Sequence, residues 1–253
     1  MIRFRTSVIL PTYNEAGHIL ELVDALRNHV PPPTEIIVVD DASPDGTADL
    51  VSAMRDPAIR VLRRRERSLV TAIQAGIAAA QGDIVVWMDA DFSHPPEVAG
   101  RLVELVRSKA CDVAIGTRFA TGFKKPPAPF DTWPVRIQKN ASAAINMKLR
   151  RWLSPACSDW TSGFIAANAP IIKKVSFNGY YGDYFIRMVG ELIMARARIG
   201  EIPYISPPRR SGKSKTATSW LALFRLAWHY LQTIRMTRKI MSRRTAAFPS
   251  IRS

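Results

Sequence analysis

Ile84-Val85-Val86-Trp87-Met88-Asp89-Ala90-Asp91 decides the fold of this chain. An apolar run without polar alternation is what a strand covered on both faces requires, and two carboxylates follow it at once. The same kind of run recurs outward from it at Ser7–Leu10, Glu35–Val39, Ile59–Leu62 and Asp112–Ile115, with Ile84–Met88 among them. Between these strands lie amphipathic stretches of helical period at Ala16–Asn28, Thr47–Met54, Ser68–Ala80 and Pro95–Arg107. Strand and helix in alternation predict β-α-β units, hence an α/β fold with a mostly parallel sheet flanked by helices. In such sheets ligands bind in a crevice at the carboxyl ends of the strands, where the strand order reverses. Asp40-Asp41 and Asp89-Ala90-Asp91 stand at two such ends.

Composition narrows the class. The chain has 253 residues, 47% hydrophobic and 23% charged, and its 18 prolines and 13 glycines follow no period. That is close to the globular average and excludes fibrous repeats and wholesale disorder. Lys and Arg number 36 against 21 Asp and Glu, for a formal charge of +15. The excess is uneven, because no acid follows Glu201. The chain therefore reads as a main unit over residues 1–217 and a basic tail over 218–253, the tail suiting phosphates, anionic lipid or nucleic acid. Cys111 and Cys157 have no metal-ligand spacing, which predicts two buried thiols in a reducing, cytoplasmic compartment. The segment Met1–Leu10 runs straight into a strand, with no signal-peptide pattern. The longest apolar candidate, Trp220–Ile234, is interrupted by Arg225 and His229, so the chain is not expected to span a membrane by itself.

Beyond the regular alternation, Phe119–Asp131 reads as a mobile loop rich in proline. A helix is expected over Trp133–Leu153, a strand at Gly163–Ala167, a helix at Asp183–Arg198 and a strand at Glu201–Ile205. The last helix, Ser219–Arg244, sets Trp220, Phe224, Trp228 and Leu231 among Arg225, Arg235, Arg238 and Lys239. Such a helix suits the surface of an anionic membrane, or else it docks on the domain as an ordinary terminal helix. Its aromatics lie among aliphatics rather than on a basic strand face, so no nucleic-acid partner is expected.

Carboxylates at positions i and i+2 after a strand converge on a hard cation, so Asp89 and Asp91 predict a divalent ion bridged to a diphosphate. The plain alternative is Asp91 as a cap ahead of the helix at Pro95. In Pro11-Thr12-Tyr13-Asn14-Glu15, proline ends the strand ladder, Tyr13 offers a ring to a base, and Glu15 can accept from a base or ribose hydroxyl. The same residues would also make a simple turn with Asn14 or Glu15 as cap. Asp40-Asp41-Ala42-Ser43-Pro44-Asp45-Gly46-Thr47 reads as a turn and helix cap, with Asp40 left over as a carboxylate lacking a structural task. A phospho-acceptor receiver domain also carries such aspartates, but it is about half this length and would leave everything after Cys111 unexplained.

Taken in order, Pro11-Thr-Tyr-Asn-Glu15, Val38-Val-Asp-Asp-Ala-Ser-Pro-Asp-Gly-Thr47, Met88-Asp-Ala-Asp91 with His94-Pro-Pro-Glu97, Gly116-Thr-Arg-Phe119, Ser158-Asp-Trp-Thr-Ser-Gly-Phe164 and Arg209 to Lys215 resemble a family. They resemble the inverting glycosyltransferases of family 2, and within them the dolichyl- or polyprenyl-phosphate mannosyltransferase branch, over roughly residues 6–217. Ala42, Ser93 and Ser68-Leu69-Val70 depart from the family's usual asparagine, glutamine and Gly-Leu-Gly.

The resemblance implies a GT-A fold, with Pro11, Tyr13, Glu15, Asp40 and Asp89 on a nucleotide sugar. It implies Mg2+ or Mn2+ on Asp89 and Asp91, catalytic roles for Asp91, Arg118 and Arg209, and an acceptor phosphate held by Arg118, Arg136, Arg209 and Lys215. The implied reaction is transfer of a hexosyl group, mannose from GDP-mannose, to a polyprenyl phosphate at the cytoplasmic membrane face. The protein would be peripheral to the membrane, with or without a membrane-anchoring subunit. UDP-glucose or another nucleotide sugar stays open as donor, and so does a non-catalytic membrane-peripheral protein of the same fold. Physical chemistry favours catalysis, because two anions must be brought together, and a metal and guanidinium groups offset their repulsion.

Overall fold

The computed structural model describes residues 5–120, 133–179, 182–207 and 220–247, with side chains omitted at 133–141, 220–227 and 243–247. In chain order the elements are β1 (Thr6–Thr12), α1 (Ile19–His29), β2 (Thr34–Asp40), α2 (Thr47–Ser52), β3 (Ile59–Arg63), α3 (Leu69–Ala79), β4 (Ile84–Trp87), α4 (Pro96–Arg107) and β5 (Val113–Thr117). There follow α5 (Trp133–Trp152), β6 (Ile165–Asn168), α6 (Ala169–Ile172), α7 (Tyr184–Met194), β7 (Ile199–Pro203) and α8 (Trp220–Ala247). The expected loop at Phe119–Asp131 falls almost wholly outside the described residues.

The strands form one sheet in the order β3-β2-β1-β4-β6-β5-β7. β1 pairs in parallel with both β2 and β4, with Thr6 opposite Thr34 on one side and Ile84 on the other. The order thus reverses between β1 and β4, which opens a crevice between their carboxyl ends. β6 runs antiparallel between β4 and β5, so its leading residues, Gly163 and Phe164, arrive at the same end. β7 pairs in parallel with β5 and delivers Tyr204 there.

Alternate residues of the strands feed two cores. Val8, Leu10, Ile36, Val38, Val86 and Ala114 pack under α1, α2 and α4, whereas Ile9, Ile37, Val39, Val85, Trp87 and Ile115 pack under α3, α5 and α7. α1 and α4 touch at Gly100, where a Cβ would lie 2.1 Å from the carbonyl oxygen of His29, so only glycine permits this approach. Cys111 and Cys157 are both buried and unbridged.

Two expectations are corrected and one element is added. α7 stops at Met194 rather than Arg198, because Arg196 takes a left-handed backbone (φ 58°) that ends the helix and starts the chain into β7. The short α6, opened by Pro170, was not foreseen. Asp91 does not cap the helix after Pro95, because its Oδ1 accepts from the backbone N–H of Ser93, 3.0 Å away, inside its own turn.

α8 docks on α7 along one stripe. Tyr230 and Ile234 join the core below α7, Thr233 Oγ1 donates to Asp183 at 2.8 Å, and buried Thr237 sits over Gly190. The remaining face exposes Trp228, Leu231, Met236 and Ile240, the first three more than 45% accessible (56%, 46% and 57%), with Arg235, Arg238 and Lys239 exposed among them. Among the described residues no helix is long and apolar enough to cross a membrane.

Candidate active site

Three loops meet at the crevice, after β1, β2 and β4. Each contains a non-glycine residue with left-handed backbone, namely Asn14 (φ 59°), Ala42 (φ 54°) and Phe92 (φ 62°). Among the described residues the other three of this kind, Arg55, Lys109 and Arg196, follow α2, α4 and α7, where such a conformation simply ends a helix. Asparagine tolerates it locally, but for alanine and phenylalanine it costs on the order of 1–3 kcal/mol and persists only under restraint from neighbours.

The restraint on the first two loops is a set of bonds running from one to the other. The backbone N–H groups of Asn14, Glu15 and Ala16 donate in succession to Ser43 Oγ (3.0 Å), Thr47 Oγ1 (2.9 Å) and Asp45 Oδ2 (3.0 Å). Asp45 also accepts from the N–H and hydroxyl of Thr47. Asp40, buried at the end of β2, accepts from Thr12 Oγ1 at 3.0 Å and from both the N–H and the hydroxyl of Ser43. The expectation that Asp40 has no structural task is therefore corrected, since it joins the ends of β1 and β2. The half-buried Tyr13 carries the guanidinium of Arg67 on its ring, 3.5 Å from the centroid, so a base stacking there would use the other face or displace Arg67. Arg67 was missed because nothing in its local sequence marks it.

The third loop is pinned residue by residue. The Asp89 N–H donates to His94 Nδ1 (3.0 Å), the Ala90 carbonyl accepts from His18 Nε2 (2.8 Å), and Asp91 holds the N–H of Ser93. His94 is fully buried, stacked on Phe164 with centroids 4.6 Å apart and edge-on to Tyr204. Burial pulls its pKa below the usual histidine range, in keeping with a neutral ring that accepts at Nδ1. The ring thereby ties the Asp89–Asp91 turn to Phe164 and Tyr204, which β6 and β7 bring to the same end of the sheet.

Arg118, at the end of β5, is already engaged. Its Nε and Nη2 grip Asp159 at 2.8 and 2.9 Å, its own N–H adds a third bond at 3.1 Å, and Nη2 also reaches Thr161. Burial would lower the guanidinium pKa, but the bonds and charge of Asp159 outweigh it and raise it instead. Asp159 had been given no role, although it stands in the Ser158–Phe164 block. Arg209 and Lys215 lie outside the described residues, and for Arg136 only the backbone, within α5, is described.

Among the described residues no group of three or more His, Cys, Asp or Glu side chains forms a metal cage. A hard divalent ion that takes one or two carboxylates and completes its shell with phosphate and water asks for less. Asp89, whose carboxylate accepts no hydrogen bond from a described residue, and Asp91, with one oxygen on Ser93, fit that requirement.

This architecture is shared with solved structures of the GT-A fold. Glucosyl-3-phosphoglycerate synthase from Mycobacterium tuberculosis, in complex with Mn2+, UDP and glucosyl-3-phosphoglycerate, superposes with a TM-score of 0.69 at 20% identity, covering 93% of this chain and 80% of that one. The profile of "Glycosyl transferase family 2" matches residues 7–173, and the chain belongs to that family. It is 34% identical over 216 residues to a dolichol-phosphate mannosyltransferase of Pyrococcus furiosus, covering 83% of this chain but only 59% of that protein's length. An undecaprenyl-phosphate mannosyltransferase of Micrococcus luteus is 33% identical, with 83% of this chain and 87% of that one covered. At 32% identity stands an undecaprenyl-phosphate 4-deoxy-4-formamido-L-arabinose transferase of Serratia proteamaculans, with 83% of this chain and 62% of that one covered.

Proposed function

We propose that this glycosyltransferase moves a hexosyl group, mannose from GDP-mannose, onto the phosphate of a polyprenol with inversion at the anomeric carbon. The observation that carries the reading is that Asp89 and Asp91, in a turn held by His94 at the end of β4, stand at the carboxyl ends of the sheet beside the Tyr13–Glu15 loop, at the end where β5 also delivers Arg118. Two relatives at 33–34% identity are named for mannosyl transfer to such lipids.

Tyr13, Glu15 and Asp40 would receive the nucleoside, with Asp89 at the diphosphate. Mg2+ or Mn2+ held by Asp89 and Asp91 would supply charge neutralisation for the leaving diphosphate. Arg118, fixed by Asp159 through Nε and Nη2, would offer its charge to the acceptor phosphate, to which Arg209, Lys215 and Arg136 would add theirs. The acceptor phosphate oxygen is already anionic, so it attacks the anomeric carbon without a strong general base. The bond to the diphosphate breaks on the opposite face, and its electron pair leaves with the nucleotide. The exposed Trp228–Leu231 face of α8, ringed by Arg235, Arg238 and Lys239, would rest on the anionic cytoplasmic leaflet, alone or beside an anchoring subunit.

A panel of radiolabelled nucleotide sugars incubated with polyprenyl phosphate and Mg2+ or Mn2+ tests this. Lipid-linked label from GDP-mannose is expected. Label only from another nucleotide sugar would overturn the donor assignment, and no label from any donor would overturn the reaction.

A further inference from the structure

His18 opens α1, the place where a short polar side chain ordinarily caps the helix, yet its side chain makes no capping bond. Instead Nε2 lies 2.8 Å from the carbonyl oxygen of Ala90 and 3.1 Å from Oε2 of Glu15. Both neighbours are acceptors, so Nε2 carries a proton shared between them. The ring is buried and lies tilted against Phe92, with centroids 6.0 Å apart. Phe92 is the bulky residue held with φ 62° directly after Asp91. One imidazole thus joins the Tyr13–Glu15 loop to the middle residue of Asp89-Ala90-Asp91 and packs on the strained residue that follows.

We propose that His18 is a positioning residue that couples the nucleoside side of the donor site to the carboxylate pair, so that binding at one favours binding at the other. The inference rests on the function proposed above. Without the bond to Ala90, that peptide is free to rotate, Phe92 relaxes toward negative φ, and Asp89 and Asp91 lose their mutual orientation. Glu15 loses its contact with the His18 ring in the same step. Neither His18 nor Glu15 is asked to touch the metal.

The test is the coupling itself, measured by calorimetry rather than by turnover. GDP is titrated into the full chain in EDTA and again in saturating Mn2+, and the ratio of the two affinities is the coupling factor. His18→Asn keeps a residue suited to starting the helix but is too short to reach Ala90, and the factor is expected to fall about tenfold, the worth of one hydrogen bond. His18→Gln places an amide N–H at similar reach and is expected to restore the factor to within about threefold of the parent. In the transfer assay kcat should follow the same order, while KM for polyprenyl phosphate stays constant. An unchanged factor in folded His18→Asn, or equal losses in both variants, overturns the proposal. If the parent chain binds neither GDP nor UDP, the proposed function itself fails and takes the coupling with it, an outcome visible before any variant is made.

Discussion

Replacing Asp159 by asparagine should cost this protein about 3 kcal/mol of stability, at the lower end of the range for breaking a buried ion pair. The Asp159 carboxylate is fully buried and accepts from the Arg118 N–H, Nε and Nη2 and from the Thr161 N–H and hydroxyl, all between 2.8 and 3.2 Å. Asparagine offers one acceptor oxygen and an NH2 group, so part of this set becomes donor against donor, and the guanidinium loses its counter-charge. The Arg118 side chain is 25% accessible, which lets water recover some of the loss and argues for the lower end. For a chain of this size, about 3 kcal/mol corresponds to a fall of about 6–12 °C in melting temperature. Arg118→Ala leaves the fully buried carboxylate without its counter-charge, held only by the N–H of residue 118 and by Thr161, and should cost at least as much. The double variant should then be more stable than the sum of the single effects implies, by about 2 kcal/mol, because the second change removes an orphaned group. Urea denaturation monitored by tryptophan fluorescence, with thermal melts, measures all four proteins. A melting temperature for Asp159→Asn within about 2 °C of the parent, or strict additivity, would refute the claim that these two residues act as one unit.

Asp89→Asn and Asp91→Asn should each reduce transfer by about 100-fold or more with little change in melting temperature, since asparagine at 91 can still accept from Ser93; two variants within a few-fold of the parent would remove the metal assignment. Trp228→Ser with Leu231→Ser should release the protein from anionic vesicles without unfolding it, because the docked stripe at Tyr230, Thr233 and Thr237 is untouched; co-sedimentation at two salt concentrations measures this, and full retention would show that this face does not bind lipid. Burial would raise the Asp45 pKa, but the bonds from Thr47 and Ala16 outweigh it and hold it below 3.8, so the charge stabilises the fold above that pH and the benefit disappears as pH falls through the folded value. The melting-temperature gap between the parent and Asp45→Asn should accordingly shrink below pH 4, and a gap that widens there would contradict the assigned bonds.

Much of this was legible before folding. Runs such as Ile84–Met88 and Glu35–Val39 read as doubly covered strands, because they are short, rich in Val and Ile and without polar alternation, and the structure has β4 at Ile84–Trp87 and β2 at Thr34–Asp40. Asp89 and Asp91 fall at a strand end by position alone, and that is where catalytic carboxylates of an α/β sheet sit. The antiparallel β6 was not legible as such, since direction depends on partners 80 residues away in sequence, as in the pairing of Val86 with Ala166.

The sequence by itself determined the alternation, the parallel character of the sheet, and the residue types at its carboxyl ends, because each follows from local hydrophobic period and turn chemistry. Only the tertiary structure decided that Asp40 joins two strand ends, that Arg118 is committed to Asp159, that α8 docks by one stripe and exposes another, and that His18 spans two loops. These are contacts between residues tens of positions apart, 72 in the case of His18 and Ala90, and no local rule of spacing specifies which side chain meets which backbone oxygen across a folded sheet.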